Sequence, residues 1–268
     1  MKKIVVAVVL SLAVVLSTIS IAGAITNGQP DGDNHPYVGL AVFDVGGSPS
    51  HRCSASLLTP TVVLTAGHCT DGTDAARVWF DEIVAGNPEY PFSGSTSYDG
   101  TPYTFPGFCI GCGDGLPGFA MGDVGIIVLD EKVSKKDISE YAVLPAEGLV
   151  DTLPNKTPID FVGYGVTNQN IGGGPPTWGG LRNRLYAPSE LVSGEFTHSE
   201  TFMKLALNPG GDSGGTCFGD SGGPDLLGGT DTVLAVNSYV TNGNCSGVGY
   251  SFRVDTPDVL EWINSFLD

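Results

Sequence analysis

The stretch GDSGGTCFGDSGGP, residues 211–224, carries the pentapeptide Gly-Asp-Ser-Gly-Gly twice, around Ser213 and again around Ser221. Each copy is a Gly-x-Ser-x-Gly, a pattern that presents a nucleophilic serine on a tight turn. A serine hydroxyl hardly ionises at neutral pH and needs a base within hydrogen-bond reach. The chain has four histidines, His35, His51, His68 and His198, and all four precede Ser213. An α/β-hydrolase has its histidine after the serine, so chain order excludes that architecture. The order histidine, aspartate, serine is left, and it directs the search for the other two groups.

His68 lies in Leu64-Thr65-Ala66-Gly67-His68-Cys69, directly after the β-branched run Thr61-Val62-Val63-Leu64-Thr65, where a rigid strand can aim the imidazole. Asp123 opens Gly122-Asp123-Val124-Gly125-Ile126-Ile127-Val128-Leu129, an apolar run suited to a buried strand. Further short apolar segments, Tyr37 to Phe43 and Val233 to Val236, alternate with turn residues in a chain holding 39 glycines and 18 prolines. Many short strands with turns between them predict an all-β sandwich or barrel. One helix is expected at the end, over 257–267. Thr256 stands at its cap and Pro257 at its first position, and Val259, Leu260, Ile263, Phe266 and Leu267 form an apolar stripe expected to pack on the second half of the fold. Pro91 to Gly118 and Asn168 to Gly180 read as loops, and the zone from Tyr141 to Pro158 as the boundary between two halves.

At the other end, Lys2 and Lys3, the apolar run Ile4 to Leu16 and the triplet Ala22-Gly23-Ala24 have the layout of a secretory signal peptide over residues 1–24. A retained anchor is the alternative; Ser17, Thr18 and Ser20 and the small-residue triplet favour removal. Six cysteines in an exported chain read as disulfides, although six allow 15 pairings. The net charge of −17, more negative still once Lys2 and Lys3 leave, excludes a phosphate-neutralising nucleic-acid binder.

These motifs resemble those of the chymotrypsin/trypsin-like serine peptidases. Leu64-Thr65-Ala66-Gly67-His68-Cys69 is similar to the family's histidine motif, with Cys53 in Cys53-Ser54-Ala55-Ser56-Leu57-Leu58 sixteen residues before Cys69. Cys217-Phe218-Gly219-Asp220-Ser221-Gly222-Gly223-Pro224 matches the nucleophile motif C-x-G-D-S-G-G-P at every fixed position, whereas the segment around Ser213 lacks both the cysteine and the proline. The resemblance implies two packed antiparallel β-barrels, the first over about residues 25–144 and the second over about 145–256, and a peptidase domain spanning 25–268.

It implies further that His68, Asp123 and Ser221 form the triad and that the N–H groups of Gly219 and Ser221 form the oxyanion hole. Cleavage after Ala24 would free the α-amino group of Ile25 to pair with Asp220. Cys53 is expected to bond Cys69, and Cys217 to bond Cys245. For Cys109-Ile110-Gly111-Cys112 the family offers no pattern; a redox motif is the alternative to a local disulfide, and the exported setting favours the disulfide. The substrate pocket would involve Gly215, Ser238, Val240 and Val248. Gly215 stands where trypsin-like members carry an aspartate, and the two valines suit a small or medium apolar residue before the scissile bond.

The expectation is thus a secreted, monomeric serine endopeptidase acting on polypeptides, with no cofactor, no metal, no nucleic acid and no lasting membrane association. Its rivals are a non-catalytic binding protein on the same fold, because fold does not fix function, and an esterase.

Overall fold

The computed structural model describes residues 25–112, 120–166, 182–194, 200–208, 213–243 and 245–267. Residues 1–24, where a signal peptide is expected, and the whole glycine-rich stretch from Asn168 to Gly180 lie outside the described residues, as does His198. No helix among the described residues is long and apolar enough to cross a membrane.

In chain order the elements are β1 (Gln29–Pro30), β2 (Val38–Val45), β3 (Ser48–Leu57), β4 (Val62–Thr65), α1 (Gly67–Thr70), β5 (Ala75–Trp79), β6 (Ser97–Thr104), β7 (Cys109–Ile110), β8 (Ala120–Met121) and β9 (Gly125–Leu129). A 3-10 turn at Val150–Thr152 then leads to β10 (Pro158–Gly163), β11 (Leu185–Ser193), β12 (Phe202–Ala206), β13 (Pro224–Leu227), β14 (Val233–Val240), β15 (Val248–Arg253) and α2 (Pro257–Asn264). Strands β2-β3-β4-β9-β6-β5 close one antiparallel barrel. Strands β11-β10-β13-β14-β15-β12 close a second through the β11–β12 pairing, and β1 adds to the free edge of β11. Closing both sheets leaves few unpaired strand edges.

The apolar runs behave as barrel strands. Val38 to Asp44 on β2 is buried throughout, as are Val62 to Thr65 on β4 and Val233 to Asn237 on β14. The stretch Pro91 to Gly118 is not all loop: Ser97–Thr104 forms β6 and pairs with both β5 and β9. Its sequence, SYDGTPYT, hides this because most of its side chains keep some exposure, so no apolar alternation marks it. Gly100 is required there, since a Cβ would lie 2.6 Å from the Val128 carbonyl oxygen.

The barrels dock through buried polar groups as well as apolar ones. Arg184, at the start of β11 and 1% exposed, donates from Nε to Asp31 at 2.8 Å and from Nη1 to the carbonyls of Phe80 and Val38. Its Nη2 donates to the carbonyl of Gly32, so the guanidinium ties the second barrel to the first. A buried arginine is tolerable only when so fully matched.

The terminal helix packs differently from the expectation. Trp262 meets Phe105 edge-on at 5.4 Å and Phe266 meets Tyr103 at 5.2 Å, both partners belonging to the first barrel. The reason is aromatic complementarity: the stripe Val259, Ile263, Trp262 and Phe266 joins the cluster centred on the first barrel. Thr256 occupies the cap position, but its hydroxyl makes no capping bond. The helix therefore staples the end of the chain back across the molecule. Trp262→Ala should lower unfolding free energy by about 2–3 kcal/mol, read as a lower urea midpoint; an unchanged midpoint would show that the staple is idle.

Candidate active site

The three residues anticipated for the chemistry converge on the junction of the barrels. Strand β4 runs through Thr65 into the one-turn helix α1, which carries His68 at its second position with a side chain 28% exposed. Asp123 lies two residues before β9, the strand paired with β4, so register alone brings it beside α1. Its side chain is fully buried. The carboxylate lies 3.0 and 2.9 Å from His68 Nδ1 and accepts from the His68 backbone N–H at 2.7 Å. Ser238, on β14 of the other barrel, donates its hydroxyl to the same carboxylate at 2.5 Å. This arrangement fixes the ring and makes Nδ1 the protonated nitrogen, leaving Nε2 as the basic one. Burial disfavours the imidazolium, but the charge and hydrogen bond of Asp123 outweigh it, and the His68 pKa is raised above 6.5.

Ser221 is brought to the turn that carries His68 by its backbone. The Ser221 carbonyl accepts from Ser54 N–H at 2.9 Å, and Ser54 belongs to β3 of the first barrel. Gly222 follows with φ +75°, and a Cβ there would collide with Thr65 Oγ1 and lie 2.6 Å from Ala66 N, just ahead of His68. Only glycine lets the turn take that shape and approach so closely. Among the described residues, neither the Ser221 hydroxyl nor His68 Nε2 has a hydrogen-bond partner. Such bonds commonly tighten only when substrate is bound.

The N–H groups of Gly219 and Ser221 also lack partners among the described residues. Two donors on one tight turn, unused by the protein, suit a developing oxyanion. Gly219 has φ +95°, a conformation that side chains rarely take, and its carbonyl is held by Ser54 Oγ at 3.0 Å. Asp220 points the other way, fully buried, and accepts from Gly165 N–H at 2.8 Å and Cys217 N–H at 2.9 Å. Burial lifts its pKa to about 7, against the opposing pull of those amides and of the Arg52 charge. Ile25, which follows Ala24 in the sequence, has its side chain buried in the second-barrel core.

A cavity of about 130 Å³ opens beside Ser221, lined by Thr216, Cys217, Phe218, Ser221 and β14 residues Asn237 to Val240. Ser238 and Val240 were anticipated in it. Gly215 and Val248 lie outside its lining: Gly215 pairs through its backbone with Thr26, and Val248 pairs with Ala206 on β12. Phe218 escaped the sequence reading, although it stands between Cys217 and Gly219, both of which that reading singled out. Disulfides join Cys53 to Cys69, Cys217 to Cys245 and Cys109 to Cys112. The first two brace the histidine turn and the nucleophile loop. Cys53, His68 and Cys69 form a tight cluster, but both thiols are consumed in a disulfide and cannot serve as thiolate ligands. Ser213 sits apart: its carbonyl accepts from Asn27 Nδ2 at 2.7 Å, and the flanking Gly214 packs against Thr26 and Ala187.

A family model described as Trypsin matches residues 25–263. The chain is 28% identical over 240 residues to chymotrypsin-like elastase family member 3B of Macaca mulatta, covering 84% of this chain and 83% of that protein. It is 26% identical to proproteinase E of Bos taurus, covering 84% and 85% of the two chains. It is also 25% identical to neutrophil elastase of Mus musculus, covering 96% and 87%. A solved collagenase structure superposes with a TM-score of 0.66 at 18% identity over 91% of this chain and 96% of that one, a likeness of fold. On the family match from Ile25 almost to the end, the chain belongs to the trypsin family of serine-type endopeptidases.

Proposed function

We propose that the protein is a secreted endopeptidase in which Ser221 attacks the peptide carbonyl, His68 takes its proton and Asp123 orients and stabilises the imidazolium. The observation that carries this reading is the buried Asp123 carboxylate gripping His68 Nδ1 at the turn against which the Ser221 loop packs. The proton taken by Nε2 is then delivered to the leaving amine, and water repeats the sequence on the acyl-enzyme. The Gly219 and Ser221 N–H groups receive the oxyanion, a contribution worth about 3–4 kcal/mol per donor. A fluorophosphonate should label Ser221 of the mature protein. Ser221→Ala should abolish labelling and lower kcat by about 10⁴-fold or more, while Ser213→Ala keeps both within about twofold. Equal loss in the two variants would refute the choice of serine, and a folded, unlabelled protein would favour the binding-protein reading.

The pH profile follows from the shift at His68. Because the base must be neutral, kcat/KM should fall as pH drops through a His68 pKa above 6.5. Protonation of Asp220, whose pKa is about 7, removes charge from the oxyanion loop over the same range. For stability the sign is opposite at His68: the raised pKa stabilises the fold fully below about 6.5 and this contribution is lost as pH rises through the raised value. An acid limb centred well below 6.5 would contradict the His68–Asp123 pairing.

The cavity supports a small or medium apolar residue before the scissile bond. It is narrow, and Val240 lines it. Two of the named relatives are elastases. Cleavage of a random peptide library should be dominated by residues such as Ala and Val. Dominant cleavage after Lys or Arg would overturn the assignment, and turnover of small esters without peptides would favour the esterase.

A further inference from the structure

A glycine precedes each member of the His68–Asp123 pair: Gly67 stands before the histidine and Gly122 before the aspartate. Glycine leaves the backbone more freedom than any other residue, and a misplacement of about 1 Å in a reacting group costs about 100-fold in rate. One short turn takes up the freedom at both positions. Phe105 N–H donates to the Val124 carbonyl at 3.0 Å, and Phe108 N–H donates to the Phe105 carbonyl at 2.9 Å, so residues 105–108 are pinned to the chain that carries Asp123. The end of this turn meets both glycines. A Cβ on Gly67 would lie 2.8 Å from Phe108 Cδ2, and a Cβ on Gly122 would lie 2.5 Å from the Gly107 carbonyl and 2.8 Å from Phe108 N.

Both ends of the turn are themselves anchored. After Phe108 the chain enters β7, and β8 returns to Gly122 with Cys109 paired to Met121. Ahead of it, Thr104 Oγ1 lies 2.8 Å from Thr70 Oγ1 in α1, and Phe105 meets Trp262 of α2 edge-on at 5.4 Å. Phe105 thereby packs on the core of the first barrel. Phe108 does not: among the described residues its half-buried ring joins neither apolar cluster and is set against Gly67 instead. A large ring kept out of the core contributes little to stability through burial, so its place beside the His68 turn calls for another account.

Resting on the proposed peptidase function, we infer that Phe108 is a positioning residue for that reaction: its ring holds Gly67, and its backbone together with that of Gly107 holds Gly122, so that His68 Nδ1 and the Asp123 carboxylate stay in contact. Phe108 acts through the two glycines, by denying them the movement that glycine otherwise allows. The buried Asp123 and the part-exposed His68 thus depend on a side chain that belongs to neither of their own strands.

The test uses the mature protein and its F108A, F108L and F108Y variants, with kcat and KM read separately, the pH dependence of kcat/KM and the urea midpoint. F108A should lower kcat about 10- to 100-fold with KM within about twofold of wild type. F108L should fall between, and F108Y, which keeps the ring, should stay within about threefold of wild type. The pH profile is a readout that a merely structural role would not move. Asp123 is the titratable group bonded to His68, and His51 on β3 is the other one beside it. An imidazole released from both Asp123 and burial returns toward 6.5, so the acid limb of F108A should move down toward that value. G67A places a methyl against the ring and should lower kcat as well, while G67A with F108L should lose less than the two single losses combined, because the smaller side chain makes room. Where F108A does not fold, F108L and this pair decide. Wild-type kcat in F108A with only a lower urea midpoint makes the ring a structural filler and overturns the inference. So does a raised KM at unchanged kcat, which makes it a substrate contact, and so do additive losses in the G67A pair. Each of these leaves the peptidase reading standing. A folded wild-type protein that a fluorophosphonate does not label overturns that reading and this inference together.

Discussion

A single buried carboxylate joins the two barrels. Asp123 is fully shielded from solvent, and its oxygens accept from the backbone and ring of His68 on one side and from Ser238 on the other. The first donors belong to the first barrel and the last to β14 of the second. A buried carboxylate that loses its donors bears the full cost of desolvation. The docked arrangement of the barrels is therefore the one in which Asp123 is satisfied, and the same arrangement brings Ser221 to the His68 turn. The inter-barrel contacts of Arg184 and the aromatic staple of α2 reinforce that docking from opposite sides.

Ser54 carries the constraint from docking to the nucleophile. Its N–H binds the Ser221 carbonyl, its carbonyl accepts from Thr65 Oγ1, and its hydroxyl both donates to the Gly219 carbonyl and accepts from Tyr164 N–H. One small residue thus links β3, β4, β10 and the nucleophile loop. Gly163 must stay small beside it, since a Cβ there would lie 3.0 Å from the Ser54 hydroxyl. The glycines around Ser221 follow from the same crowding. With Gly222 against Thr65 and Ala66, the chain has no room for a Cβ and no freedom to turn otherwise.

Much of this was legible in the sequence because it is local. Short apolar runs announced β2, β4, β9 and β14, and the order of His68, Asp123 and Ser221 excluded one architecture before any fold was known. Pairing of Cys53 with Cys69 and of Cys217 with Cys245 matches what the family resemblance implied. What escaped was non-local. Strand β6 is held by pairing on both edges, and its own side chains do not advertise it. Helix α2 showed an apolar stripe, but its partners Phe105 and Tyr103 lie more than 150 positions away in the chain and on the other barrel. Gly215 and Val248 pair through their backbones with Thr26 and Ala206 and are not in the lining of the cavity beside Ser221.

Asp123 and Asp220 show how one fold handles two buried carboxylates in different ways. Asp123 has donors from two side chains and a backbone amide, and it sits within reach of the His68 imidazole, which the proposed mechanism makes cationic. Its negative charge is required most at the moment when the charge opposite it appears. Among the described residues Asp220 accepts from two backbone amides and no side-chain donor, and burial lifts its pKa to about 7. Its oxygens grip Gly165 and Cys217, which fixes the turn carrying the two unused N–H groups, and these hydrogen bonds are stronger to a carboxylate than to a neutral acid. In the proposed mechanism the shape of the turn that receives the oxyanion is thereby coupled to the charge of a residue that never touches substrate.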